Sequence, residues 1–137
     1  IEKRQITHRA ATIEERSLGR WFLAHHPDKA ALYAQINHFN PSAHTLPAVE
    51  WGAALKSIMA PDRIIPMDAL CQVACPTLLL VGSEDPIVPV GVMHEVAQLV
   101  HGSEVAVIEQ AGHSTYFEKP REFNQVVLEF LARRGAF

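Results

Sequence analysis

A continuous apolar run that ends at a glycine constrains the fold of this 137-residue chain more than any other feature. Residues 76–81 read Pro-Thr-Leu-Leu-Leu-Val and are followed by Gly82. A short run without polar alternation predicts a strand that is buried on both faces, as in a parallel sheet. Helical spacing follows over residues 90–100, and Glu104–Ile108 predicts a second strand. Because a strand–helix–strand unit of this length crosses over right-handed, we predict parallel strands and an α/β fold.

The first 65 residues have no strand-like alternation, so they predict helices only. Thr12 and Glu15 are spaced as in a capping box and predict the start of a first helix. Its expected apolar stripe is Ile13, Leu18, Trp21 and Phe22. Pro27 suits the first turn of a second helix that ends near Pro41, and Pro47 suits the start of a third. We therefore predict three helices in this part of the chain.

The remainder of the chain completes the α/β pattern. Met67–Val73 predicts a short helix before the first strand, and Pro120–Arg134 predicts a long amphipathic helix after the second. The arginines of this last helix lie at its C-terminal end, where the helix dipole favours positive charge. We therefore predict two regions, a helical one over residues 1–65 and an α/β one over residues 66–137.

Charge and hydropathy exclude two classes of partner. The formal net charge is -3 and no dense run of lysine and arginine occurs, so binding to nucleic acid or to an anionic membrane has no electrostatic basis. The longest apolar run, residues 77–81, is far too short to span a bilayer, and the chain does not open with a signal-peptide pattern. We expect a cytoplasmic protein that binds neither nucleic acid nor a membrane.

The cysteines and histidines do not form the pattern of a metal site. Cys71 and Cys75 lie four positions apart, which suits one face of a helix, and no second pair completes a zinc site. We expect both to be small buried side chains in a reducing cytoplasm. Five of the eight histidines fall in the first half of the chain, namely His8, His25, His26, His38 and His44. Adjacent His25 and His26 point in different directions on a helix, so we expect solvated or pocket-lining imidazoles and no bound metal.

Two chemically active side chains follow the two predicted strands. Asp85 comes after the first strand and His113 after the second, 28 positions later. Each alone is commonly a turn former or a surface residue. Parallel strands end at the same edge of a sheet, however, so the two side chains should meet there. A carboxylate beside an imidazole fixes the tautomer and stabilises the imidazolium, as an orienting acid and a general base require.

The neighbours of these two residues fit that arrangement. Gly82 can release the strand into a tight turn, and Gly112 allows another backbone segment to pack beside His113. Glu84 adjoins Asp85 and is a second candidate for the orienting acid. Its position one residue earlier turns it in another direction, so we expect Asp85 to be the partner.

The segments CPTLLLVGSEDPIVP and AGHSTYFEKPREFNQVVLEFL together resemble the C-terminal part of an α/β-hydrolase-fold enzyme. The positions that carry the resemblance are Pro76, Gly82, Asp85, Pro89, Gly112, His113, Glu118 and Pro120. It covers residues 66–137 and implies that Asp85 is the acid and His113 the base of a catalytic triad. The resemblance implies no cofactor.

Residues 1–65 are similar to the helical cap, or lid, of the same family. The stretch GRWF at residues 19–22 and the length of the cap resemble the 3-oxoadipate enol-lactonases and related ring-cleavage-product hydrolases. Trp21, Phe22 and Trp51 are then candidates to line a substrate pocket. Packing within a small helical lid is the alternative use for the same side chains.

The nucleophile that this family places on a Gly-x-Ser-x-Gly elbow ahead of the cap does not occur in the sequence. The strands that would cover Leu78–Leu80 and Val105 are not evident either, and two-stranded sheets are seldom stable alone. Together with a first residue, Ile1, that is not methionine, this predicts the downstream half of a larger hydrolase. Its N-terminal, nucleophile-bearing half would be a separate chain or a missing segment.

The expected activity is therefore hydrolysis of a small ester, lactone or related acyl substrate by a serine-type enzyme. His113 and Asp85 would supply base and acid, and the missing half would supply the serine. The alternative is a non-catalytic protein of the same fold, a receptor or pseudoenzyme, that binds a small ligand under its cap.

Overall fold

The computed structural model describes residues 12–39, 48–64 and 66–135. In chain order the elements are α1 (Ile13–Ser17), α2 (Arg20–His25), α3 (Pro27–His38), α4 (Ala48–Ile58), a 3₁₀ helix (Met67–Gln72), β1 (Leu78–Gly82), α5 (Val90–Leu99), β2 (Glu104–Ile108), α6 (Thr115–Glu118) and α7 (Pro120–Arg133). Helices thus precede a strand–helix–strand–helix unit, and the predicted α/β fold class is confirmed. Pro41 and Pro47 lie outside the described residues.

The sheet consists of β1 and β2, which pair in parallel. Leu78 lies opposite Glu104 and Gly82 opposite Ile108, so both strands end together. Helix α5 is the connection between them and packs against both. The predicted parallel arrangement is confirmed, and it brings the loops after the two strands to one edge.

Helix α1 begins with the predicted capping box. The Thr12 hydroxyl accepts a hydrogen bond from the Glu15 amide at 3.3 Å, and the Glu15 carboxylate accepts one from the Thr12 amide at 2.9 Å. Pro27 stands at the first turn of α3 and Pro120 at that of α7, as predicted. These starts are set by local chemistry, because capping and a fixed proline φ act within one turn.

The prediction of one first helix carrying Leu18, Trp21 and Phe22 is wrong. Helix α1 ends at Ser17 and α2 begins at Arg20, with Gly19 as its N-cap in extended backbone. The amide groups of Gly19 and Trp21 donate to the carboxylates of Glu118 and Glu84, which are distant in the sequence, instead of to carbonyl groups one helical turn earlier. These partners break the helix at residues 17–19, hereafter the cap turn.

The core of the helical region consists of four buried side chains, Leu18, Phe22, Ala30 and Tyr33. Phe117 of α6 packs against this cluster, with its ring 5.1 Å from that of Tyr33 and 6.0 Å from that of Phe22. A residue from the segment after β2 therefore completes the core of the first three helices. The division at residue 65 into cap and α/β core stays a prediction.

The two cysteines contradict their expected burial. Cys71 lies in the 3₁₀ helix and Cys75 after it, so they share no helical face, and both are exposed. None of the residues in the Met67–Gln72 3₁₀ helix is buried. None of the helices in the described ranges is long and apolar enough to cross a membrane.

Candidate active site

The loops after β1 and β2 are joined by backbone hydrogen bonds. The Ser83 amide donates to the Ile108 carbonyl at 2.9 Å and the Glu84 amide to the Ala111 carbonyl at 2.8 Å. The Gln110 amide donates to the Ser83 hydroxyl at 3.0 Å, and Gln110 adopts a φ of 57°. A glutamine in this left-handed conformation is uncommon, and the loop contacts hold it there. The two loops form one rigid edge.

Asp85 and His113 meet at this edge. Asp85 Oδ2 lies 2.9 Å from His113 Nδ1. The other carboxylate oxygen, Oδ1, accepts hydrogen bonds from the amides of Ile87 at 2.7 Å and Val88 at 2.8 Å. Both oxygens are thus engaged and the side chain is only 5% exposed, so the carboxylate has a fixed direction.

The imidazole of His113 is oriented by this contact and remains accessible, with 44% of its side chain exposed. Because an ionised carboxylate only accepts hydrogen bonds, Nδ1 carries the ring proton and donates it toward Asp85. Nε2 is then the acceptor nitrogen of the ring. This is the geometry that a general base needs.

Glu84, the rival candidate for the acid, has a different contact. Its Oε2 accepts a hydrogen bond from the Trp21 amide at 2.7 Å, at the first turn of α2. In the loop after β1, Asp85 therefore contacts the imidazole, and the preceding residue, Glu84, contacts the backbone of α2. Asp85, not Glu84, is the residue that contacts His113.

Three glycines let three backbone segments touch beside the imidazole. A Cβ on Gly82 would overlap the carbonyl oxygens of Ala111 and Gly112. A Cβ on Gly112 would overlap the amide of Gly19 in the cap turn. The predicted close approach at Gly112 is confirmed, and its partner is the turn between α1 and α2.

Glu118 is the functional-site neighbour that the sequence interpretation assigned no role. Its side chain is buried, with the residue 6% exposed. Both of its carboxylate oxygens lie 2.9 Å from the Gly112 amide, and Oε2 also accepts from the Gly19 amide at 2.8 Å. The available signal was the Glu-x-Pro spacing of Glu118 and Pro120 after the Gly-His turn, which carried the family resemblance but was given no structural role.

The buried position changes the acid strength of Glu118. Burial raises the pKa of its carboxyl above the ordinary value of 4.5, and the nearby charge of Glu84 acts in the same direction. Hydrogen bonds from the backbone of Gly19, Gly112 and Ser114 oppose this increase. The backbone donors offset only part of the cost of burying the charge.

The three candidate pocket residues lie in different surroundings. The Trp21 ring stacks on His25 at 4.3 Å between centroids, and the Lys119 ammonium lies 4.1 Å from its centre. Phe22 is 1% exposed and belongs to the core of the helical region, whereas Trp51 is 43% exposed on α4. Their role as lining of a substrate pocket stays a prediction.

Within residues 12–39, 48–64 and 66–135, no group of three or more histidine, cysteine, aspartate or glutamate side chains is placed to hold a metal ion. His25 Nδ1 lies 2.8 Å from the Trp21 carbonyl oxygen, a contact within its own helix. His8 and His44 lie outside the described residues.

Most of the chain matches a known protein family. Residues 9–120 match the family model described as the alpha/beta hydrolase fold. The chain therefore belongs to the α/β-hydrolase family, as its motifs predicted, and the proteins it resembles include ring-cleavage hydrolases.

Three relatives show the range of activities among similar proteins. A 2-hydroxy-6-oxo-6-(2'-aminophenyl)hexa-2,4-dienoic acid hydrolase of Metapseudomonas resinovorans is 35% identical over 64 residues, which is 47% of this chain and 22% of that protein. A monoacylglycerol lipase of Mus musculus is 31% identical over 61 residues, 44% of this chain and 18% of the lipase. A thermophilic esterase of Thermogutta terrifontis superposes with a TM-score of 0.67 at 26% identity, over 96% of this chain and 49% of the esterase. All three are hydrolases, and this chain spans about half the length of the esterase.

Proposed function

We propose that this chain is the downstream half of a serine-type α/β-hydrolase that acts on a small ester, lactone or related acyl substrate. The observation that carries the proposal is the Asp85–His113 pair, with an oriented imidazole at the carboxyl edge of a parallel sheet. In this fold, catalytic groups lie on the loops at that edge. The nucleophile belongs to an upstream segment or a partner chain, and we call the two halves together the completed hydrolase.

The proposed mechanism gives each residue one task. A serine of the upstream half attacks the substrate carbonyl while Nε2 of His113 takes its proton. Asp85 stabilises the resulting imidazolium through Nδ1, and His113 then protonates the leaving group. Water hydrolyses the acyl-enzyme by the same proton transfers in reverse order. The chain's part of this chemistry is proton transfer and orientation.

The chain's own serines support placing the nucleophile elsewhere. None of the six stands in a Gly-x-Ser-x-Gly sequence. Ser114, beside His113, is buried and shares a hydrogen bond of 2.9 Å with the Tyr33 hydroxyl. Ser83 accepts the hydrogen bond that holds Gln110. The two serine hydroxyl groups near the Asp85–His113 pair are thus both engaged in hydrogen bonds that join segments of the chain.

The decisive experiment is turnover of the completed hydrolase with and without His113. We expect His113→Ala to lower kcat on a short-chain p-nitrophenyl ester by roughly 10⁴-fold, because the general base is lost. His101→Ala, at an exposed histidine in the turn after α5, is the matched control and should retain activity. Undiminished turnover by the His113 variant would remove this residue from the mechanism.

A fluorophosphonate probe separates catalysis from binding without knowledge of the substrate. Labelling of the upstream half, and not of this chain, supports the serine hydrolase. Absence of labelling in a folded completed hydrolase contradicts it and favours the alternative, a ligand-binding protein of the same fold.

A further inference from the structure

Glu118 is a buried charged side chain that the proposed mechanism does not use. It lies five positions after His113, on the short helix α6. Burying a charge costs much free energy unless the charge is hydrogen-bonded. The groups that donate hydrogen bonds to Glu118 therefore indicate its structural role. Those groups include two backbone amides from segments far apart in the sequence, Gly112 and Gly19.

The Gly112 amide immediately precedes the catalytic imidazole. The next two amides, of His113 and Ser114, donate to the Ser17 carbonyl of the cap turn at 2.8 Å and 3.1 Å. Three successive amides of the loop after β2, residues 109–114 and hereafter the histidine loop, are therefore directed toward Glu118 or the cap turn. Because these contacts flank His113, they determine the direction in which its side chain leaves the backbone.

The carboxylate also joins the histidine loop to the cap turn directly. Its Oε2 accepts from Gly112 and from Gly19, so one oxygen atom bridges the two segments. From the other loop, Glu84 holds the amide of Trp21, two residues further along the cap. The loops that carry Asp85 and His113 are thus both fastened to the same short stretch of the cap.

We propose that Glu118 is a positioning residue that fixes the histidine loop against the cap turn and so maintains the contact of His113 Nδ1 with Asp85. Loss of the carboxylate frees the Gly112 amide and the cap turn together. The effect on turnover rests on the proposed function, whereas the effect on the imidazole contact does not.

A neutral isostere tests this role because it keeps the shape of the side chain. In Glu118→Gln, one oxygen becomes an NH₂ donor that can no longer accept from a backbone amide, and the remaining carbonyl oxygen holds the Gly19 and Gly112 amides without the negative charge that strengthens these hydrogen bonds. Glu122→Gln removes an exposed carboxylate four positions away and is the matched control. Phe130→Ala removes a buried ring on α7 and controls for a general loss of stability.

In the completed hydrolase, we expect Glu118→Gln to lower kcat per folded molecule by roughly 10- to 100-fold, because small misplacements of a catalytic group have effects of this size. KM should stay within about twofold, since the buried Glu118 carboxylate is engaged with backbone amides. Glu122→Gln should retain kcat, and so should the folded fraction of Phe130→Ala. An unchanged kcat in Glu118→Gln, or an equal loss in Phe130→Ala, would overturn the proposal.

A spectroscopic measurement decides the same question without any turnover. With ¹⁵N-labelled histidine, assigned through His113→Ala, the Nδ1 signal should shift in Glu118→Gln and remain in place in Glu122→Gln. The amides of Gly19 and Gly112 should lose protection from hydrogen exchange at the same time. If the protein proves not to be a hydrolase but these signals change, the positioning role stands alone. Unchanged signals contradict it whatever the activity.

Discussion

The cap turn and helix α4 both belong to the region predicted as a cap, yet they are attached to the molecule in opposite ways. The cap turn touches the histidine loop through backbone contacts and the Glu118 carboxylate, and the neighbouring Phe22 is fully buried. Helix α4 exposes large apolar side chains, namely Val49, Trp51, Leu55 and Ile58. One part of the predicted cap is therefore packed against the candidate active site, and the other part presents an apolar surface.

The two parts of the predicted lid therefore have different roles, one structural and one at the surface. The first three helices share their core with Phe117, four positions after His113, so displacing them would disturb the dyad. Helix α4 contributes no buried side chain among those described. We expect substitutions in α1–α3 to affect stability and kcat together, and substitutions in α4 to change stability much less and to act mainly on substrate binding.

The largest expected contrast is between two aromatic residues of the cap. Phe22→Ala should lower the free energy of unfolding of the completed hydrolase by roughly 3–5 kcal/mol, because it empties a buried site. Trp51→Ala should cost much less, since this side chain is 43% exposed, and should change KM if the ring lines the pocket. Chemical denaturation and steady-state kinetics measure the two effects. Equal loss of stability in both variants would remove the distinction between the two parts of the cap.

Glycine substitution gives the next contrast. Gly112→Ala should destabilise the protein by roughly 3 kcal/mol or more, because the new methyl group overlaps the cap turn and the surrounding backbone has to move. Gly52→Ala in α4, where a Cβ would meet no atom within 4 Å, should instead stabilise the helix by about 1 kcal/mol. The midpoint of urea unfolding reports both changes. A harmless Gly112→Ala would show that the close backbone contact is dispensable.

The smallest expected effect is a difference in pH dependence. Burial raises the pKa of Glu118, so in the range just above 4.5 the folded state binds more protons than the unfolded state. Its contribution to stability therefore falls as pH rises through that range, and Glu118→Gln should remove this decline. Unfolding midpoints of both proteins between pH 4.5 and 7 provide the test.

The surface carboxylate Glu104 should show the opposite sign. Its hydrogen bond with Arg133 lowers its pKa, so its contribution is present above the ordinary value of 4.5 and is lost as pH falls through the lowered pKa. Glu104→Gln serves as the comparison for Glu118→Gln. If both substitutions changed the pH dependence of the unfolding midpoint in the same direction, the buried role of Glu118 and the surface role of Glu104 would be contradicted.

The parts of the site that follow from local chemistry were predictable. An apolar run ending in Gly82, a crossover helix and a second strand require parallel strands, and parallel strands bring Asp85 and His113 to one edge. The capping box at Thr12 and the proline at the start of α3 act within a single helical turn, and both predictions were correct.

The parts that depend on distant contacts were not predictable. The break between α1 and α2 is made by Glu118, 99 positions from Gly19, and by Glu84, 63 positions from Trp21. A helical stripe that contains Leu18 and Phe22 carries no sign of either partner. The prediction that Cys71 and Cys75 are buried was wrong for a similar reason. Spacing alone does not show which side of a short helix meets the core.

The bridge from Gly19 to Glu118 has a consequence for the order of folding. It joins residues separated by 99 positions, whereas the Asp85–His113 contact spans 28. Closing the longer loop costs more chain entropy, and long-range contacts slow the approach to the native state. We expect the two strands and their loops to pair first, and the cap turn to dock onto them afterwards. Competence for catalysis would then be acquired only in the last stage of folding.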